Sequence, residues 1–534
     1  MVVMRQRRHH PHRGDRTAPR PRRSGPAGVR IAACAVAIGA LATPACALAS
    51  SPVGQAAVTS SPSSVHRSGS PATLPVRNNE LLVRFRATGA LQRIRVAPGR
   101  DPVAIARELR SHPELFSSVG ANLIATAAGT PATASQDPAT TPSGTTPGVT
   151  VPPSATVAPP AGLKGWLPND QVGGVGWTSL QWNFVGRWGV SAPEAWQILR
   201  RRSLANAGGR GVRVAVVDSG IAYRDRDQYR RSPDLDPARI LDGYDFIGQD
   251  RFPDDESGHG THVASTIAGA TDNAAGLTGL AYRADLIPIR VLDDQDAGDV
   301  LTIARGIRYA IRRNADLINL SVDFPVETTA ADIPEVIDAL NAARRAGILV
   351  ISSSGNDGTG SIAYPARAAS ALAVGATTAR GCRSTFSNGG RELALVAPGG
   401  GADHTSEPRG RCQPGQPGPP IAQVTLMRPS ETTNLGVPLD YVGTSMAAAH
   451  VTGIAALVLG SGVVGRHPSP ELLAAYLVRS TRDLGPAGRD VHYGAGLINA
   501  RTAVSRTGAA SRLRGAKRAV ATAARKHQRS LPIR

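Results

Sequence analysis

The chain has 534 residues and a formal net charge of +20, enough length for one large domain and a smaller one. The basic excess sits at the ends: residues 1–30 carry 9 basic and 1 acidic residue, residues 501–534 carry 10 and none, and residues 163–500 carry 32 against 34. A nucleic-acid-binding surface is thereby excluded from the central region, and no nucleic-acid partner is expected.

Behind an Arg/His-rich opening, the apolar run Ile31–Leu41 leads to Ala47-Leu48-Ala49, the small-x-small pattern of an export cleavage site. Residues 1–49 read as a signal peptide cut after Ala49; the alternative, a membrane anchor, needs a longer run. The apolar stretch after Ser445 is broken by His450, Thr452 and Gly453, so the mature protein is expected to be secreted, monomeric and without a stable membrane span. Cleavage removes Cys34 and Cys46 and leaves Cys382 and Cys412. An oxidising compartment invites one disulfide between these two, with two independent thiols as the alternative.

Residues 50–78 are rich in Ser and Pro and read as unstructured. Over 79–128 the pattern predicts a small α+β unit, with strands at Glu80–Phe85, Gln92–Val96 and Ala121–Ala127 and a helix at Asp101–Leu115. Residues 129–162 form a Pro/Thr-rich linker. From 163 to 505, short apolar runs alternate with helical spacing. Strands are predicted at Val212–Val217, Leu286–Leu292, Leu317–Val322, Ile348–Ser352 and Leu372–Gly375, and helices at Thr261–Ala268, Leu301–Arg313, Ile333–Arg345, Met446–Gly460 and Pro470–Ser480. The fold class is α/β, a doubly wound and mostly parallel sheet with helices on both faces, whose chemistry gathers at the carboxyl ends of the strands. Residues 506–534 read as a basic C-terminal tail, solvated or used for targeting.

Four motifs fall at that mouth. Val-Ala-Val-Val-Asp218-Ser-Gly puts a carboxylate at a strand end, where it can orient an imidazole. Gly258-His259-Gly-Thr-His262 puts His259 at a helix start and His262 one turn on. Ser-Ser-Ser-Gly355-Asn356-Asp-Gly presents an amide suited to a developing oxyanion. Gly-Thr-Ser445-Met-Ala-Ala-Ala-His-Val opens a helix with a serine at its positive end. Alone, each motif is an ordinary turn or cap. Together, in the order Asp, His, Asn, Ser, they resemble the subtilisin-like serine proteases, the subtilase family, over roughly 165–505.

The resemblance implies a secreted serine endopeptidase acting on proteins or peptides. His259 would be the general base, oriented by Asp218 and taking the proton of Ser445, with Asn356 as oxyanion donor and His262 a helix residue. Ser321, Val322 and Asp323, and Ser353, Ser354 and Gly355, would form the edges flanking the substrate backbone. The unit at 79–128 resembles the family's inhibitory propeptide, making the chain a self-processing zymogen and its own propeptide a partner. Thr271–Leu277 is similar to the family's calcium loop, which implies structural Ca²⁺ held by Asn273 and Asp234; a polar turn is the alternative, and no cofactor is required for the chemistry. Two departures touch the site: Ala449 stands where a proline is common, and Asp323 where a glycine is usual. Asp293, Asp294, Asp296 and Asp299 add acids to a loop bordering the cleft. The rival reading is a catalytically silent subtilase scaffold acting as an envelope or polyanion-binding protein.

Overall fold

The computed structural model describes residues 74–128, 158, 161–204, 207–407, 410–465 and 467–529. The expected signal peptide, nearly all of the 50–78 segment and most of the 129–162 linker lie outside the described residues. The described residues belong to one compact unit, Arg67–Arg534.

The small N-terminal subdomain consists of β1 (Val76–Phe85), β2 (Leu91–Arg95), α1 (Pro102–Leu109) and β3 (Phe116–Ala127). Its helix stops a turn and a half before the predicted end, because Arg110 caps it through its backbone N–H and the chain turns at His112. β1 pairs antiparallel with both β2 and β3.

In the large body, α2 (Ala192–Arg202) precedes β4 (Arg213–Asp218), α3 (His259–Ala268), β5 (Asp285–Arg290), β6 (Ala297–Asp299) and α4 (Val300–Arg312). There follow β7 (Leu317–Leu320), β8 (Val322–Asp323), α5 (Pro334–Arg345), β9 (Leu349–Ser353), β10 (Ala371–Thr377) and β11 (Leu393–Pro398). The body closes with α6 (Thr444–Ser461), α7 (Pro470–Val478), β12 (Leu497–Ile498) and α8 (Ala509–Arg529).

The central nine-stranded sheet runs in the order Thr481–Arg482, β12, β11, β10, β9, β7, β4, β5, Tyr244–Asp245. Its pairs are parallel except for the antiparallel edge at Thr481–Arg482. Each core strand is buried on both faces, which is why it reads as a continuous apolar run. In β4, Val214 and Val216 face one core with Trp196, Val263 and Ile454, while Ala215 and Val217 face the other with Ile303, Ile307 and Leu340. α6 passes through the first core and is apolar on every side. By length and composition it is the one helix among the described residues that could cross a membrane, yet 83% of it is buried inside the fold.

Several stretches differ from the sequence reading. α2, β6, β11 and β12 are not among the expected elements. Residues 509–529, expected as part of a solvated tail, form a helix laid against α7 with Ala509 and Ala516 buried. The dense positive charge masked that stripe of small residues, which is what lets the two helices approach.

Candidate active site

The site forms where β4, β7 and β9 end. Asp218, the last residue of β4, accepts the Ser219 N–H at 2.8 Å and lies 2.6 Å from His259 Nδ1 through the same oxygen. Both side chains are fully buried. Burial pulls the imidazole pKa down, but the charge and hydrogen bond of Asp218 pull harder, and His259 is held above its ordinary range. With Nδ1 turned to Asp218, Nε2 is the ring's outward base.

His259 opens α3 at a crowded point. A Cβ at Gly260 would lie 2.0 Å from the Gly220 carbonyl oxygen, so only glycine lets the helix start approach the strand end this closely. Asp255 anchors that helix start: one oxygen accepts the N–H groups of Ser257 and Gly258 and the Ser219 hydroxyl, the other the N–H and hydroxyl of Thr261. Sequence reasoning did not single out Asp255; an acid four residues before a helix-start histidine is the signal that could have found it. His262 donates through Nε2 to the Ile421 carbonyl at 2.8 Å. Its ring stacks on Tyr441 with centroids 4.3 Å apart, and burial holds it neutral, with its pKa pushed down to about 3.

Ser445 stands in the first turn of α6, where backbone N–H groups have no partner within the helix. Its N–H donates to the Ala128 carbonyl at 3.0 Å. Its Oγ donates to the Ser321 carbonyl at 3.3 Å, while His259 Nε2 is buried without a hydrogen-bond partner. Asn356 accepts the N–H and hydroxyl of Thr444 at 3.0 and 2.9 Å through Oδ1, which leaves Nδ2 as the donor end of its amide.

β3 runs between two flanking strands. On one side Val322 and Asp323 of β8 pair antiparallel with Ala127 and Thr126. On the other, Ala297, Gly298 and Asp299 of β6 pair antiparallel with Thr126, Ala125 and Ile124. The Ala127 N–H donates to the Asp296 carbonyl at 2.9 Å and the Ala128 N–H to the Ser321 carbonyl at 3.2 Å. The second strand that flanks β3 is thus β6. The Ser354 N–H donates to the Val374 carbonyl, and the Gly355 carbonyl accepts from the Asn388 N–H.

Asp234 and Asn273 both hold the Thr271–Leu277 loop: both Asp234 oxygens accept the Leu277 N–H at 3.0 Å, and Asn273 Oδ1 accepts the Ala275 N–H at 3.1 Å. Among the described residues, no group of three or more His, Cys, Asp or Glu is placed to hold a metal. Cys382 and Cys412 are joined by a disulfide.

A buried Asp–His pair at the carboxyl mouth of this sheet, beside a helix-start serine, defines a serine protease working by acyl transfer. The model of the subtilase family matches residues 209–496, and the chain belongs to that family. It is 35% identical over 318 residues to subtilisin Savinase of Lederbergia lenta, covering 59% of this chain and 97% of that protein. It is 37% identical over 271 residues to a thermostable alkaline protease of Halalkalibacterium halodurans, covering 51% of this chain and 62% of that one. Among solved structures, a protease from Pseudoalteromonas arctica aligns with a TM-score of 0.50 and 29% identity, over 62% of this chain and 97% of that one.

Proposed function

We propose that the protein is a secreted endopeptidase made as a zymogen, in which residues 79–128 are the inhibitory propeptide and the first self-cleavage falls between Ala128 and Gly129. The observation that carries this reading is the Ala128 carbonyl on the Ser445 N–H: the peptide bond after Ala128 stands where a substrate's scissile bond would stand.

In this reading, Ser445 Oγ leaves the Ser321 carbonyl, turns toward His259 Nε2 and attacks the carbonyl carbon of Ala128 as Nε2 takes its proton. The imidazolium is stabilised by Asp218. Negative charge developing on the carbonyl oxygen is met by the Ser445 N–H, already at 3.0 Å, and by Asn356 Nδ2. His259 returns its proton to the leaving amine of Gly129, the acyl-enzyme forms, and water then hydrolyses it by the same route. The new carboxylate of Ala128 stays in the cleft, because β3 remains paired on both edges. Substrate proteins would add a strand between β6 and β8 in the same way, with affinity drawn mainly from the main chain. Calcium enters no step.

Export follows from the signal-like residues 1–49. The test is to isolate exported wild type and Ser445→Ala protein and determine their N-termini. Wild type should begin at Gly129 or beyond, trimmed within the linker, and Ser445→Ala should remain joined through residue 128. A serine-reactive phosphonate should label only the wild type. An exported wild type that is unlabelled and uncut would favour the silent scaffold.

A further inference from the structure

Asp323 occupies a position that the reaction itself does not use. It lies in β8 opposite Thr126. Side chains alternate along a strand, so Asp323 stands on the same face as Ala128, the residue whose carbonyl is at Ser445. The two are diagonal neighbours across an antiparallel pair, roughly 7–8 Å apart, a gap that a long side chain spans and alanine does not.

The carboxylate points toward the opposite wall of the cleft. A Cβ at Gly355 would stand 3.2 Å from Asp323 Oδ2 and 2.9 Å from the Ala363 Cβ. The Phe324 N–H donates to the Tyr364 carbonyl at 2.8 Å, which fixes the end of β8 beside Asp323. The recess that glycine leaves at 355 is bounded by Asp323 Oδ2, Asn388 Nδ2 and Ala363 Cβ.

No arginine or lysine among the described residues pairs with this acid. The charged groups that act on it are Asp357, which repels it, and His259. Burial and Asp357, against the Asn356 N–H and His259, push its pKa up to about 7. A cation placed in the recess would relieve that frustration. Ala128 cannot supply one.

We infer that Asp323 lines the pocket for the first acyl-side residue and makes it select lysine or arginine. This rests on the peptidase reading above and deepens it by naming the substrate class. Cleavage after Ala128 is compatible with it, because an intramolecular bond at high effective concentration needs no favourable side chain.

The test uses the processed enzyme and peptides that share Thr-Ala-Ala on the acyl side and differ only at the next residue, which is Lys, Arg, Leu or Glu. The readout is the ratio of kcat/KM for Lys to that for Leu, which cancels effects on the shared machinery. A hydrogen-bonded charge pair in a recess is worth on the order of tenfold to a hundredfold in rate. Wild type should favour Lys and Arg over Leu by that margin and reject Glu, and the margin should shrink at high salt. Asp323→Asn, which keeps the shape, and Asp323→Gly should both bring the ratio near one. A wild-type ratio near one, or a ratio unchanged in Asp323→Asn, would overturn the inference while leaving the peptidase intact. If no peptide is cut and the phosphonate labels nothing, both readings fall together.

Discussion

The two sheets that meet at the cleft are held in different ways. The central sheet is built of strands buried on both faces, and its ends carry Asp218, Ser321 and Ser353 in fixed positions. The small sheet reaches the body through an edge pairing, an apolar face that includes Leu82, Val103, Ala121 and Leu123, and a rim of ion pairs: Arg84 to Glu335 at 2.6 Å, Arg110 to Asp332 at 3.1 Å, and Arg77 to Asp293 and Asp299 at 3.5 and 3.8 Å. The arginines are partly exposed and their partners at Glu335 and Asp332 are buried. The strands of the body are thus joined through apolar area, and the small subdomain adds to its apolar face contacts that water and salt can replace. In the zymogen reading proposed above, the entry of Leu123 and Ala125 of β3 into the second core would make release slow.

The largest effects should come from the body's side of this contrast. Ser445→Ala should lower kcat on the order of 10⁶-fold and abolish the cut after Ala128, measured on peptide substrate and by mass spectrometry of the precursor. If the subdomain is still released in this variant, another protease does the processing.

Asp218→Asn should lower kcat by roughly 10⁴-fold. It should also move the pH profile. Catalysis needs the neutral imidazole, and Asp218 favours the charged one, so the wild-type rise in kcat/KM should lie above the ordinary imidazole range. In Asp218→Asn the rise should shift toward acid. The same pairing stabilises the fold while the ring is protonated and loses that contribution as pH climbs through the folded pKa. A rise in wild type below neutral pH would contradict the geometry.

Asn356→Ala should cost about 10²–10³-fold in kcat with little change in KM, since the donor acts on charge that exists only in the transition state. Thr444 would lose its acceptor, so the folded state should be checked by thermal melting. An equal fall in kcat and rise in KM would assign Asn356 to substrate binding.

The smallest effect should come from the rim. Arg84→Ala leaves the buried Glu335 unpaired and should weaken the hold of the cleaved subdomain by about 1–3 kcal/mol. Active enzyme should then appear sooner after self-cleavage, and high salt should hasten wild type toward the same rate. An unchanged lag would place the hold in β3 rather than in the ion pairs.

Much of this molecule is local in origin and could be read along the chain. Asp218, His259, Asn356 and Ser445 each sit in a short motif whose neighbours dictate a strand end, a helix start or a turn, so their types and their gathering at one mouth follow from pattern. Five strands of the central sheet, β4, β5, β7, β9 and β10, were legible for the same reason: residues buried on both faces leave a continuous apolar run. What the chain alone could not decide is which backbone meets which across long gaps. That Ala297–Asp299 pairs with β3, and that Ala128 delivers its carbonyl to Ser445, depend on hydrogen bonds between segments far apart in sequence. Backbone groups are the same in every residue and leave no mark on composition. Asp323 shows the division within one side chain. Its identity was plain, but only the fold brings Gly355 beside it and leaves it without an arginine or lysine partner. The C-terminal helix shows it again, because a run of arginines carries no sign of the neighbour that buries Ala509 and Ala516.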